Sequence, residues 1–103
     1  MTDNRRSSFR HAVDLPVQVA LAGAPATELR LGNLSMGGAY LANVVMTMGQ
    51  RLSVAFVIPT QDAAIEVGAV VRWTDAGGVG IQFDGLRARD TWALGKYIEQ
   101  LGK

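Results

Sequence analysis

A small antiparallel β-barrel carrying a C-terminal helix is the fold class that this sequence predicts. Three observations predict it. Apolar residues alternate with polar ones in successive short runs, the period of half-buried strands. That period changes once, near the C-terminus, to the period of an amphipathic helix. The chain has 103 residues, 49% of them hydrophobic and 18% charged. That is enough for one small core but too little to cover exposed sheet edges, which closure into a barrel removes.

The elements follow in order. Val13, Leu15, Val17, Val19 and Leu21 share one face of a first strand. Pro16 lies inside that run and has no N–H to donate, which points to an edge position or a bulge. Ala22-Gly23-Ala24-Pro25 breaks the strand, and Leu29 and Leu31 restart the alternation. Residues 33–38, rich in Asn, Ser and Gly, read as a turn or bulge. Ala39-Tyr40-Leu41 is a short strand, and Met48-Gly49-Gln50 is another turn. Leu52, Val54, Phe56 and Ile58 alternate up to Pro59. A long strand runs from Ala64 to Thr74, with Ile65, Val67, Ala69, Val71 and Trp73 on one face. Asp75-Ala76-Gly77-Gly78 is a hairpin connection, and Val79, Ile81 and Phe83 return from it. That makes a six-stranded barrel.

Leu94, Tyr97, Ile98 and Leu101 then fall at i, i+3, i+4 and i+7, the face of a helix packed on the barrel. Gly102 suits its end. Gly95 inside it costs about 1 kcal/mol relative to alanine, which predicts close packing there. Trp73 and Phe83 are expected in the core or at the barrel rim. Trp92 falls off the helical stripe and is expected to cover the barrel end or to remain partly exposed.

Composition excludes several function classes. There is no cysteine, so neither disulfides nor thiolate metal sites arise. His11 is the one histidine, so no multi-histidine metal site arises either. Apolar runs fall well short of the roughly 20 residues that span a bilayer. The N-terminus lacks the apolar stretch of a signal peptide. The expectation is a soluble, cytoplasmic protein without membrane insertion. No nucleophile is paired with a base, and the nine acids are scattered as solvated loop and edge charges, so no enzyme is expected.

The net charge of +1 hides an asymmetry. Residues 1–11 carry Arg5, Arg6 and Arg10 against Asp3 alone, and read as a flexible basic arm. Residues 12–103, the barrel with its helix, are slightly acidic. DNA binding calls for a basic face spread over the domain. A short basic arm suits a small, locally anionic ligand or a phosphate.

Two motifs stand out. The arm contains Arg6-Ser7-Ser8-Phe9-Arg10, an Arg-x-x-x-Arg preceded by Arg5. Downstream lies Asn33-Leu34-Ser35-Met36-Gly37-Gly38, an Asn-x-Ser-x-x-Gly. In this order and spacing, together with Gly68-Ala69-Val70-Val71-Arg72-Trp73 and Val79-Gly80-Ile81-Gln82-Phe83, they resemble the PilZ domain family. The resemblance covers the chain from Arg5 to Leu101. His11 departs from it, since an apolar residue is expected there.

The resemblance implies a split-barrel type of fold and binding of the bacterial second messenger cyclic di-GMP, with no other cofactor and no metal. Arg6 and Arg10 would contact guanines and phosphates. Asn33, Ser35, Gly37 and Gly38 would hold another guanine edge on the barrel. Arg5 would go with two stacked, intercalated ligands. The chemistry agrees: a guanidinium is a planar fork that pairs with guanine O6 and N7 and binds phosphate. An amide both donates to and accepts from a base edge. Ordering five arm residues costs roughly 5–10 kcal/mol, against about 1.5–3 kcal/mol per charged hydrogen bond, so several contacts must act together.

The expected role is a stand-alone receptor or adaptor that orders its arm on binding and signals to a downstream protein, which the sequence does not identify; a homodimer is left open. The alternatives are a PilZ-like protein-interaction module that does not bind nucleotide, and a small β-barrel for single-stranded nucleic acid. The last would need exposed aromatics interleaved with basic residues.

Overall fold

The computed structural model describes residues 11–101. Six strands are followed by one helix: β1 (His11–Leu21), β2 (Thr27–Leu34), β3 (Gly38–Ala42), β4 (Arg51–Phe56), β5 (Ile65–Asp75), β6 (Gly78–Phe83) and α1 (Ala88–Leu101). The strands close into an antiparallel barrel in the order β1-β2-β3-β6-β5-β4. β1 begins at His11, the last residue assigned to the arm. The six strands match those expected, with ends shifted by a few residues.

The alternating apolar face becomes the barrel interior. Val17, Leu31, Leu34, Leu41, Val54, Val71 and Ile81 are all buried. Phe56 and Phe83 stack inside at a centroid distance of 6.0 Å. Pro16 sits where the proline rule predicts. It lies after a bulge between Ala12 and Leu15 and before β1 begins to pair with β4 at Gln18. Arg30 braces that bulge from β2, donating to the Asp14 carboxylate at 2.8 Å and to its carbonyl at 3.0 Å.

The helix packs through Ala93, Leu94 and Tyr97, which are buried, while Ile98 and Leu101 lie half-buried against the core. Thr60 donates its hydroxyl to the Ala93 carbonyl at 2.7 Å, which ties the β4–β5 connection to the helix. Asp90, in the first helical turn, departs from the reading of the acids as solvated charges: it is fully buried. Burial by itself would raise its carboxyl pKa. The Gln61 amide at 3.0 Å and the guanidiniums of Arg87 and Arg89 outweigh that and hold it below the ordinary carboxylate value. Gly95 departs as well. A Cβ there would meet only the Met36 sulfur, at 3.9 Å, so close packing does not explain the glycine. Trp92 stays exposed, with the Lys96 ammonium 5.7 Å from its ring centroid.

Candidate functional site

The second motif forms one end of the barrel wall. Asn33 and Leu34 end β2, residues 35–37 turn, and Gly38 opens β3. Ser35 is the staple of that turn. Its side chain is buried, its Oγ accepts from the backbone N–H of Gly37 (3.3 Å) and Gly38 (3.1 Å), and it lies 3.2 Å from the Gly38 carbonyl, to which the hydroxyl donates. The Ser35 N–H also donates to that carbonyl at 2.8 Å. The hydroxyl is therefore occupied inside the turn rather than displayed at the surface.

Gly38 is required by packing. A Cβ there would lie deep inside the van der Waals shell of the Ile81 carbonyl oxygen and 3.2 Å from the Gln82 Cα. Gly37 is the opposite case, exposed and with nothing within 4 Å of where a Cβ would stand. Asn33 is half-buried on the outer face.

Three register shifts align beside this turn. β1 shifts between Ala12 and Leu15, β2 between Leu31 and Asn33, and β5 between Val71 and Trp73. They border one cross-strand row, in which Ala12 pairs with Asn33, Asn33 with Tyr40, Tyr40 with Gly80, and Gly80 with Trp73. In β2 and β5 the extra residue reverses the in-out parity of the strand, while in β1 the alternation runs through unbroken. Leu31 and Leu34 thus both point inward although three positions apart.

The same effect corrects the placement of Trp73, which the alternation puts on the face of Val71. Val71 is buried, but Arg72 and Trp73 are both exposed. Tyr40 stacks on Trp73 with centroids 5.5 Å apart and planes 22° apart. Glycines clear the space beneath. A Cβ on Gly80 would collide with the Trp73 indole, one on Gly78 would stand 3.0 Å from the Tyr40 ring, and one on Gly32 3.2 Å from it. The Tyr40 hydroxyl donates to Asp75 Oδ1 at 2.8 Å, and the same oxygen accepts from the N–H of Gly77 and Gly78. Those bonds, that of Tyr40 foremost, hold the Asp75 carboxyl below its ordinary pKa, and the Asp75 partner raises that of the Tyr40 phenol. One row further along, Gln82 stands opposite Gly38, and Arg72 Nε donates to its Oε1 at 2.6 Å.

The outer face around the turn therefore presents Asn33, Tyr40, Trp73, Arg72 and Gln82 together. A base plane can stack on the rings, and its edge can bond to the amides and the guanidinium. Arg5, Arg6 and Arg10 lie outside the described residues. Arg10 is nonetheless bonded to His11, whose pairing partner is Leu34, the residue before Ser35. Sequence reasoning missed Tyr40, Arg72 and Gln82 as site candidates. The available signal was the glycine spacing, Gly32, Gly78 and Gly80, opposite two aromatic residues.

A family model of the PilZ domain matches residues 4–100. The chain belongs to the PilZ domain family. No curated protein matches the chain closely enough to count. Among solved structures, the inhibitor of motility MotI/DgrA of Bacillus subtilis aligns with a TM-score of 0.80 and 24% identity, over 98% of this chain and 54% of that one. YcgR of Escherichia coli, in complex with c-di-GMP, aligns with 0.78 and 21%, over 96% and 46%. The PilZ domain of CeSA from a cellulose-synthesizing bacterium aligns with 0.69 and 18%, over 93% and 100%. The chain thus spans about half the length of MotI and YcgR and the whole of the CeSA domain. Among the described residues of this PilZ domain, no helix is long and apolar enough to cross a membrane, and no cluster of acids and histidine has the makings of a metal site.

Proposed function

We propose that this PilZ domain is a receptor for cyclic di-GMP that passes the signal to a protein partner. The observation that carries the reading is the junction of the two motifs. β1 pairs His11 with Leu34 and Ala12 with Asn33, so the Arg-x-x-x-Arg segment joins the barrel beside the Asn-x-Ser-x-x-Gly turn. A dianionic ligand with two guanines needs guanidinium forks on one side and base-edge partners on the other. The YcgR structure, solved with c-di-GMP, supports the ligand class.

Each motif residue has a role in this reading. Arg6 and Arg10 bind phosphate and guanine. Arg5 binds a second, intercalated ligand. Asn33 pairs with a base edge through its amide. Ser35 acts through the turn, whose backbone it rigidifies. Gly37 keeps the turn surface open to the ligand, and Gly38 lets β3 approach β6. Binding orders the arm against the barrel and so changes the surface offered to the partner. The role is binding and regulation, not catalysis.

Calorimetric titration tests this. Cyclic di-GMP should bind saturably, GTP should not, and Arg10→Ala should weaken binding by about 10–100-fold. Two ligands per chain support the role of Arg5; one per chain removes it. Unchanged affinity in Arg10→Ala refutes the assignment. No binding at all leaves a module that works through protein contacts alone.

A further inference from the structure

We infer that the solvent face of α1 pairs two copies of this chain, helix against antiparallel helix, about a two-fold axis. The inference goes beyond the receptor reading and does not depend on it. It starts from Trp92, which the core does not use. Its ring is 65% exposed, on the side of α1 away from Ala93, Leu94 and Tyr97. A side chain of that size can bury roughly 150–250 Å² against a partner. Arg89, Trp92, Lys96 and Glu99 follow one another at spacings of three, four and three residues, and all four are exposed. Those are the a and d positions of a heptad. At 3.6 residues per turn they fall within an arc of about 80°, so they form one row along the helix. Ala88 and Gly95 flank the row, so on that side no bulky side chain keeps a second helix away.

The order of charges in the row selects the occupant. Set two such helices antiparallel about the point midway between Trp92 and Lys96. Arg89 then meets the partner's Glu99, and Trp92 meets the partner's Lys96. Each pair occurs twice, as a two-fold axis requires. A parallel alignment would instead set arginine on arginine and lysine on lysine. A wholly acidic partner is repelled by Glu99, and a wholly basic one by Arg89 and Lys96. A second copy satisfies every position.

The bonds within one chain allow the exchange. Lys96 Nζ lies 5.7 Å from the Trp92 ring centroid and 3.9 Å from Glu99 Oε1. Both are contacts between exposed groups, which cost little to trade for equivalent ones across an interface. Arg89 is the most distant partner of Asp90, at 3.5 Å. When Arg89 turns to the second copy, Asp90 keeps Gln61 at 3.0 Å and Arg87 at 3.2 Å.

Sedimentation velocity on the ligand-free chain tests this. The mass should rise toward twice that of the monomer between about 1 µM and 1 mM, the range suited to a small interface. Trp92→Ala should weaken pairing about tenfold or more. Glu99→Arg and Arg89→Glu, which each set like charges together twice, should weaken it about tenfold as well. Mixed in equal amounts, these two charge variants should pair with each other within about threefold of wild type, because each supplies the charge that the other needs.

A chain that stays monomeric at about 1 mM overturns the inference and leaves the receptor reading standing. A dimer that keeps its affinity in Trp92→Ala and Glu99→Arg uses another face, which overturns it too. Charge variants that do not recover on mixing refute the antiparallel register. Trp92 and Glu99 are exposed and outside the core, so their variants should keep the fold, which circular dichroism checks. Arg89→Glu sets a second carboxylate beside Asp90; if it unfolds, the Trp92 and Glu99 variants still decide the outcome.

Discussion

Replacing Gly38 by alanine puts a methyl group where the β3–β6 ladder has no room. The new Cβ would stand 3.1 Å from the Ile81 carbonyl carbon and 3.2 Å from the Gln82 Cα, and roughly 1 Å or more inside contact distance of the Ile81 oxygen. These are backbone atoms of a paired strand, so no side-chain rotation relieves the clash. β3 must back away from β6 at the motif. That strains the bond from Phe83 N–H to the Gly37 carbonyl (2.8 Å), the bond from Ser35 N–H to the Gly38 carbonyl (2.8 Å), and the bond from Gly38 N–H to Ser35 Oγ (3.1 Å). Three such bonds are worth about 0.5–1.5 kcal/mol each. The lower unfolded-state entropy of alanine offsets about 0.4–1 kcal/mol. A net loss of about 2–3 kcal/mol follows, which for a domain of this size lowers Tm by roughly 10–20 °C. Thermal unfolding followed by circular dichroism measures it without any ligand. If Gly38→Ala unfolds within about 2 °C of wild type yet loses ligand affinity, the glycine serves the ligand and not the ladder, and the reasoning fails.

Three further outcomes are expected. Ser35→Ala strands the N–H groups of Gly37 and Gly38 and should destabilise by about 1–3 kcal/mol in urea unfolding; full stability would show that the turn holds itself. Gly95→Ala, with only the Met36 sulfur at 3.9 Å to meet, should gain about 0.5–1 kcal/mol by the same assay. Asp90 contributes stability above the unfolded carboxylate pKa of about 3.9, and that contribution is lost as pH falls through its lower folded value. Between pH 5 and 2, roughly the window set by that lowered pKa, the Tm of wild type should therefore fall more steeply than that of Asp90→Asn, and parallel curves would contradict the assignment.

Strand number, helix position and the turn at the second motif are legible in the sequence because each rests on periodicity or on turn chemistry. Trp73 shows where that stops. A bulge adds a residue without altering composition, so alternation counted from Ile65 carries Trp73 inward, and only pairing with Gly80 reveals the shift. Asp90 was hidden for a different reason. Its burial depends on Gln61, 29 residues away, which closes over it from the β4–β5 connection. Gly95 misled because a glycine inside a helix signals crowding as readily as indifference, and Met36 at 3.9 Å decides between them. Within the site, Asn33 stands half-buried on the outer face. Ser35 is turned to an internal duty that a motif does not display, since a hydroxyl that accepts from the backbone looks the same in sequence as one that meets a ligand.

The aligned bulges behave like a dislocation line in a crystal. Removing the extra residue of β5 would annul its step and leave the pairing beyond it as it is. Deleting Arg72 would set Trp73 directly after Val71, still outward and still opposite Gly80, and would take the guanidinium from its side. Exchanging the exposed side chains along the line leaves the backbone relief intact, whereas Gly80 has no room for one. Each step thus adds one outward position to its strand: the exposed side chains there can be exchanged for others, while loss of the inserted residue takes that position away.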